Sequence, residues 1–144
     1  MNPSVPHSLV QNLRRIPDFA ALDDRTLLTI VGESMNLAWS AGSTIFKNGD
    51  RGDALYVMLD GEVSIHEGGS PIDSEVAHPR AGDSFGELSL LLNATHSKTA
   101  TAVTDSEILV LPKEAFTHLL DSNPALAQHF DNVLKSRPEN HAST

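Results

Sequence analysis

The chain has 144 residues, of which ten are Lys or Arg and nineteen are Asp or Glu, giving a net charge of −9, and it contains no cysteine. Nucleic acids and anionic membranes select clustered basic residues, so this balance disfavours both as partners; a small phosphate-bearing ligand responds to local charge and is not excluded. Without cysteine there is no disulfide, thiolate metal site or cysteine nucleophile.

Length and termini predict a single domain in the cytoplasm. A chain of this size buries about two-thirds of its unfolded surface. The N-terminus shows no basic region followed by an apolar core, and no apolar run is long enough to span a bilayer. We expect residues 1–8, with two prolines, to be disordered, residues 9–137 to form the domain, and residues 138–144 to be a flexible tail.

Two helices are predicted near the N-terminus. Ser8 is placed to cap a helix over Leu9–Arg15, which Pro17 ends. Asp23 or Asp24 caps the second helix. Its predicted buried stripe consists of Leu27, Leu28, Ile30 and Val31.

The residue pattern changes between residues 36 and 111, where short β-branched or aromatic runs are separated by Gly, Asp and Asn. This spacing is typical of a β-sandwich or β-roll. We predict a mainly β fold, an eight-stranded antiparallel, jelly-roll-like β-roll flanked by N- and C-terminal α-helices. Asp60 and Gly61 are a hairpin-turn signal, and Trp39 and Phe46 are predicted core residues. The predicted strand runs are Leu37–Trp39, Thr44–Phe46, Ala54–Leu59, Glu62–His66, Glu75–His78, Lys98–Val103 and Ile108–Leu111.

Two more helices are predicted after the strands. Pro112 opens the first, with Phe116, Leu119 and Leu120 on one face. Asn123 caps the second, and Pro124 occupies its first position. The stripe of this terminal helix, residues 124–137, is too apolar to leave in water, so it packs onto the roll or onto a second subunit. Its members are Leu126, Phe130, Val133 and Leu134.

The segment Gly82–Leu91 carries the chemistry. Gly86 adopts backbone angles closed to other residues and admits a ligand close to the main chain. Free N–H groups at a helix start favour an anion, and a carboxylate at Glu87 accepts hydrogen bonds from hydroxyls such as those of a ribose. We predict a short helix from Glu87 with Leu88, Leu90, Leu91 and Leu92 buried, and Gly86 and Leu88 N–H groups that face a concavity. The arrangement suits a sugar phosphate.

Several blocks in a fixed order, over about residues 9–135, resemble the cyclic nucleotide-binding domain family. Phe85–Leu91, then Thr99, Ala102 and Thr104–Leu111, is similar to the phosphate-binding cassette of the protein kinase A regulatory subunit, the catabolite activator protein and the cyclic-nucleotide-gated channels. The helical lead-in and first strands of that family are matched by Leu13–Phe19, Ala41–Asp50 and Asp53–Val63. The resemblance implies a regulatory β-roll with cAMP or cGMP as ligand and no other cofactor. It also implies a terminal helix that closes over the base and often mediates dimerisation, leaving a second copy or an effector protein as partner.

The match departs from the family at one position. Aligned without gaps from Glu87 to Thr104, the phosphate-clamping arginine of the family falls on His96, and the small residue after it on Ser97. Imidazole is mostly neutral at pH 7 and offers one donor at a time, whereas guanidinium is permanently charged and grips two oxygens. If His96 holds the phosphate, affinity is expected to rise as the pH falls from about 8 to about 6. Lys98 is a substitute cation only if an insertion shifts the alignment. The ligand contacts implied by the resemblance are Phe85, Gly86, Glu87, Leu88, His96, Ser97 and Lys98.

Three functions stay open: a cyclic nucleotide sensor, a degenerate domain of the same fold that acts through protein–protein contact, and a cupin-like β-roll enzyme. The alternative for His96 is a surface-strand histidine, and for Lys98 a solvated strand lysine. His66 and Glu67 are predicted to lie on the surface. The scattered histidines do not form the close pair of histidines plus a carboxylate that a β-roll metalloenzyme needs, so no metal site, catalytic residue or enzyme activity is predicted.

Overall fold

The computed structural model describes residues 10–11, 13–15, 19–20, 22–67 and 74–136, and only the main chain of Leu88 and of residues 133–136. The predicted disordered N-terminus, the stop at Pro17 and the flexible tail lie outside these residues. Within the predicted first helix, Val10, Gln11, Leu13 and Arg14 are helical.

Eight antiparallel strands form two four-stranded sheets, which confirms the predicted β-roll. The first sheet has the order β1-β8-β3-β6, and the second has the order β2-β7-β4-β5. The strands are β1 (Met35–Trp39), β2 (Thr44–Phe46), β3 (Ala54–Asp60), β4 (Val63–His66), β5 (Glu75–Ala77), β6 (Ser84–Phe85), β7 (Thr99–Ala102) and β8 (Ser106–Pro112).

Besides the helical residues near the N-terminus, the described part of the chain contains four helices with defined bounds: α1 (Asp24–Glu33), α2 (Glu87–Leu91), α3 (Lys113–Ser122) and α4 (Pro124–Ser136). Asp23 caps α1, since the Thr26 N–H donates to its Oδ1 at 2.9 Å. Leu27 and Ile30 of the predicted stripe are buried, but Leu28 was wrongly included: it is 47% exposed. One helical position rotates a side chain by about 100°, so Leu28 points away from the face that Leu27 presents to the core.

The alternation along β3 and β8 divides the interior into two cores. Met58 pairs with Ile108 and both side chains face the second sheet, whereas Val57 pairs with Leu109 on the opposite face. That opposite face packs against the helices. The residues of the helix-side core include Leu55, Leu111, Leu27, Ile30, Phe116, Leu119, Leu126 and Phe130.

The terminal helix α4 packs onto its own chain through two of its predicted anchors. Leu126 and Phe130 are buried, and the Phe130 ring meets the Phe116 ring edge-on at 5.1 Å between centroids. The first form of the prediction, packing on the roll, is confirmed for these residues. The side chains of Val133 and Leu134 lie outside the described residues.

Two predictions about chain path were wrong or incomplete. The turn at Asp60 and Gly61 exists, with Gly61 at φ +94°, but β3 and β4 belong to different sheets. It is therefore a crossover between the sheets and not a hairpin. The two-residue strand β6 was missed because Ser84 and Phe85 are too short a run to show a period of two.

A backbone ladder outside the strands fixes the segment that precedes β7. His96 donates its N–H to the Asp50 carbonyl and accepts from the Gly49 N–H, both at 2.7 Å, and the Gly52 N–H donates to Ala94 O at 3.0 Å. At Gly52 a Cβ would lie 2.6 Å from Ser89 Cβ and 2.8 Å from Ala94 O. The two segments approach this closely only because residue 52 has no side chain.

We therefore expect Gly52→Ala to destabilise the domain by about 1–3 kcal/mol, because the ladder has to open to admit the methyl group. Gly32→Ala is the matched control. Nothing lies within 4 Å of a Cβ at that helical position, so it should gain about 0.5–1 kcal/mol. Urea denaturation of both variants measures the free energies of unfolding; equal effects in the two variants would contradict the close-approach argument.

Candidate ligand site

The turn into α2 has the geometry predicted from the sequence. Gly86 lies at φ +87°, and a Cβ there would be 3.0 Å from Cδ2 of the Tyr56 ring and 3.3 Å from the Ala54 carbonyl oxygen. A glycine is thus required by both conformation and space. The helix begins at Glu87, whose side chain is buried. Strand β3 therefore packs closely against the turn that leads into α2.

The burial predicted for the α2 leucines is only partly correct. Leu90 is buried, but Leu92 is 47% exposed. The helix ends at Leu91, and Asn93 adopts a left-handed φ of +54°, so Leu92 sits in a turn instead of on a helical face. Leu91 packs beside the helix-side core. The side chain of Leu88 is outside the described residues.

The main-chain donors predicted for the ligand are the Gly86 and Leu88 N–H groups. The carbonyl oxygen of Gly86 accepts from the Leu90 N–H at 3.3 Å, which joins the glycine to α2. That the two N–H groups face a concavity stays a prediction.

His96 is not a surface histidine, which removes that alternative. Its side chain is 1% exposed, and its ring stacks on the Phe46 ring with 3.6 Å between centroids and 6° between planes. Phe46 also contacts Phe85 and Tyr56, at 6.1 and 5.5 Å. We call Phe46, Tyr56, Phe85 and His96 the aromatic cluster. Through it, the predicted site residues Phe85 and His96 share one packed unit.

The imidazole of His96 is buried without polar contacts. Neither Nδ1 nor Nε2 has a hydrogen-bond partner among the residues that the structure describes. Burial lowers the pKa of His96 below its usual 6.5, and the carboxylates of Asp50 and Asp53 oppose the shift only in part. The ring is therefore neutral at pH 7, with one N–H free to donate and one nitrogen free to accept.

Lys98 is also buried, so its interpretation as a solvated strand lysine was wrong. It is 8% exposed, and its ammonium lies 3.5 Å from Glu67 Oε2 and 3.4 Å from Ser97 Oγ. Ser97 lies between His96 and Lys98 in the sequence, and its hydroxyl contacts the Lys98 ammonium. Glu67 is exposed, as predicted.

The surface prediction for His66 was wrong as well. It is buried, and its Nε2 lies 3.0 Å from Thr101 Oγ1. Strand β4 is an inner strand between β7 and β5, and Ser64 on the same face is buried too. Both faces of β4 are covered, which a two-residue alternation does not reveal.

Sequence reasoning missed a charged cluster at the edge of the second sheet. His78 Nε2 lies 2.6 Å from Glu62 Oε1, and His78 Nδ1 lies 2.9 Å from Glu75 Oε2. The two hydrogen bonds, that of Glu75 first, raise the pKa of His78. The three-residue spacing of Glu75 and His78 was a local signal, but Glu62 joins them only through the fold.

Metal clusters and membrane-spanning helices are both absent from the described ranges. No three His, Asp or Glu side chains there are grouped to hold a metal ion. No helix in those ranges is long and apolar enough to cross a membrane.

Comparison with known proteins decides the family. The sequence matches the family described as "Cyclic nucleotide-binding domain" over residues 37–123. The chain belongs to the cyclic nucleotide-binding domain family. The matched range contains all eight strands except the first two residues of β1, together with the cassette and α3.

Relatives and solved structures agree with this assignment. The cAMP-dependent protein kinase regulatory subunit of Colletotrichum orbiculare is 33% identical over 108 residues, which are 75% of this chain and 27% of the subunit. Lysophospholipase nte1 of Aspergillus niger is 31% identical over 99 residues, or 68% of this chain and 6% of the enzyme. The regulatory domain of Toxoplasma gondii PKA, solved with cAMP, aligns with a TM-score of 0.74 at 27% identity, covering 83% of this chain and 46% of that one. The chain therefore spans a small part of each curated relative.

We expect His96 and His78, whose pKa values are shifted in opposite directions, to affect stability in opposite pH ranges. The lowered pKa of His96 means that the native state binds fewer protons than the unfolded state, so stability falls as the pH drops below about 6.5. His96→Phe keeps an aromatic ring against Phe46 and should flatten that acid decline while adding roughly 1–3 kcal/mol at pH 7.

The raised pKa of His78 gives the contrasting case. Its contribution is present below pH 6.5 and is lost as the pH rises through the higher native value. His78→Gln should cost about 0.5–1 kcal/mol near pH 6, since the cluster is partly exposed, and less near pH 9. Urea unfolding at several pH values checks both. Parallel profiles for wild type and His96→Phe would contradict the buried, neutral His96.

Proposed function

We propose that the domain is a regulatory sensor that binds cAMP or cGMP, with His96 donating to the cyclic phosphate in place of the arginine that the family resemblance implies. The observation that carries the proposal is the buried His96 imidazole with both nitrogens unbonded in the described part of the chain. A buried donor or acceptor without a partner costs about 1–3 kcal/mol. A phosphate oxygen at this ring would recover that cost.

The other proposed contacts lie on the two segments that the aromatic cluster joins. Phe85 and His96 both contact Phe46, and the cassette continues from Phe85 through Gly86, Glu87 and Leu88. The Gly86 and Leu88 N–H groups are proposed phosphate donors, and the Glu87 carboxylate is the proposed acceptor for the ribose hydroxyl. Ser97 and Lys98 complete the set beside His96.

The charge of the site determines how tight this binding is. A neutral imidazole forms an ordinary hydrogen bond, whereas a guanidinium forms charge-assisted bonds that contribute on the order of 1.5–3 kcal/mol. We therefore propose weak binding at neutral pH, roughly ten- to a hundredfold weaker than with arginine at the same position. The output passes to an effector protein or a second copy of the chain, in the cytoplasm.

A specific observation favours a second function, a degenerate domain that acts through protein–protein contact. His96 lies flat on Phe46, as an apolar core ring would. A module of this kind would use the terminal helix as its contact surface. Leu126 and Phe130 are excluded from that role because they are buried within this chain.

Calorimetric titration with cAMP and cGMP distinguishes the two functions. For wild type we expect weak binding that strengthens on acidification, because a bound phosphate favours imidazolium. The free pKa of His96 is below 6.5, so the increase should continue below that pH, lower than the window of about pH 8 to 6 that the sequence suggested.

His96→Arg should tighten binding roughly ten- to a hundredfold near pH 7.5 and remove the pH dependence. His118→Arg is the matched control, since His118 is exposed on α3; it should leave affinity unchanged. Tight, pH-independent binding by wild type would show that another group holds the phosphate. Absence of binding in both wild type and a folded His96→Arg variant would favour the protein-interaction function.

A further inference from the structure

The pair Lys98 and Glu67 continues the register of the core between the two sheets. Strands β4 and β7 pair Val63 with Ala102 and Ile65 with Ala100, and all four side chains are buried in that core. Two residues further along, the same register places Glu67 opposite Lys98 on the same face. The buried ammonium of Lys98 therefore lies at the end of the core, beyond Ile65 and Ala100.

The Lys98 ammonium makes no short hydrogen bond to the described part of the chain. An ammonium has three donors, and its contacts in the described part of the chain are Ser97 Oγ at 3.4 Å and Glu67 Oε2 at 3.5 Å. Both distances exceed the 2.7–2.9 Å of a strong charge-assisted bond. The Glu67 side chain is 60% exposed and the Lys98 side chain only 10%. The carboxylate is thus largely solvated, while the lysine side chain is largely buried.

The position of this cation relative to the candidate site is set by the chain. Lys98 follows His96 and Ser97 directly, and His96 is fixed by its backbone bonds to Gly49 and Asp50. The ammonium already contacts Ser97, one of the proposed ligand contacts. A neutral imidazole and a buried ammonium therefore lie on one three-residue segment.

We propose that Lys98 is the cation of the anion site and that Glu67 competes with the ligand phosphate for it. This inference rests on the proposed function and adds its regulation. In the free protein Glu67 neutralises Lys98 from the solvent side; an entering phosphate takes the ammonium, and Glu67 turns out into water. Affinity is then set by the exchange of one anion for another, in addition to the protonation of His96.

The test is a double-mutant cycle measured by cAMP titration near pH 7.5, where His96 is neutral. Glu67→Gln removes the competing charge and keeps the shape, so it should tighten binding about tenfold. Lys98→Met removes the ammonium and keeps the stem, so it should weaken binding at least tenfold. In the Lys98→Met background, Glu67→Gln should have no further effect. Glu33→Gln, an exposed site on α1 with the same change in net charge, is the control and should bind as wild type does.

The outcomes separate this inference from the proposed function. Unchanged cAMP affinity in both single variants, with binding intact, overturns the role of Lys98 and Glu67 and leaves the sensor function standing. If no variant binds cAMP or cGMP, the sensor function fails and inorganic phosphate becomes the probe. A rise in melting temperature of Glu67→Gln with phosphate over chloride at equal ionic strength, absent in Lys98→Met, then supports the anion site; no rise overturns it. Lys98→Gln replaces Lys98→Met if circular dichroism shows that the latter does not fold.

Discussion

The stacking of His96 on Phe46 is the contact on which the candidate site depends. It places the residue at the arginine position against a ring that also touches Phe85, the residue before the cassette glycine. The backbone ladder between residues 49–52 and 94–96 fixes the same segment from the other side, and it exists because Gly52 carries no side chain. Cassette and β7 are therefore held as one unit before any ligand arrives.

The same stacking keeps the ring of residue 96 neutral at the position where the family resemblance implies a charged group. A ring buried among aromatic side chains stays neutral, and burial accordingly lowers the pKa of His96. Compared with the arginine that the family resemblance implies for the phosphate clamp, His96 gains packing against Phe46 but lacks a permanent charge. The nearby ammonium is that of Lys98, which is buried beside Ser97 and lies 3.5 Å from Glu67 Oε2. A ligand site with the contacts proposed here would respond to pH and to competing anions, whereas one with arginine at residue 96 would respond to neither as strongly.

Local pattern was enough to predict the fold and the cassette but not the environment of individual polar residues. The turn-punctuated strands, the Asp23 cap and the Gly86 turn follow from sequence because each depends on a few neighbouring residues. The crossover at Gly61, the burial of His66 and Lys98, and the meeting of His78 with Glu62 depend on which strands pair across long separations. His96 was located by alignment with the family. Its stacking on Phe46, fifty residues earlier, has no local signal.

The measurement that tests this account most directly is an NMR titration of the His96 ring protons, with and without saturating cAMP. We expect ring-proton shifts displaced by the Phe46 ring current, a pKa of His96 below 6.5 in the free protein, and a higher pKa in the complex. A free-state pKa at or above 6.5 with undisplaced shifts would show that the ring is solvated. An unchanged pKa of His96 at cAMP saturation would show that the phosphate does not contact the ring.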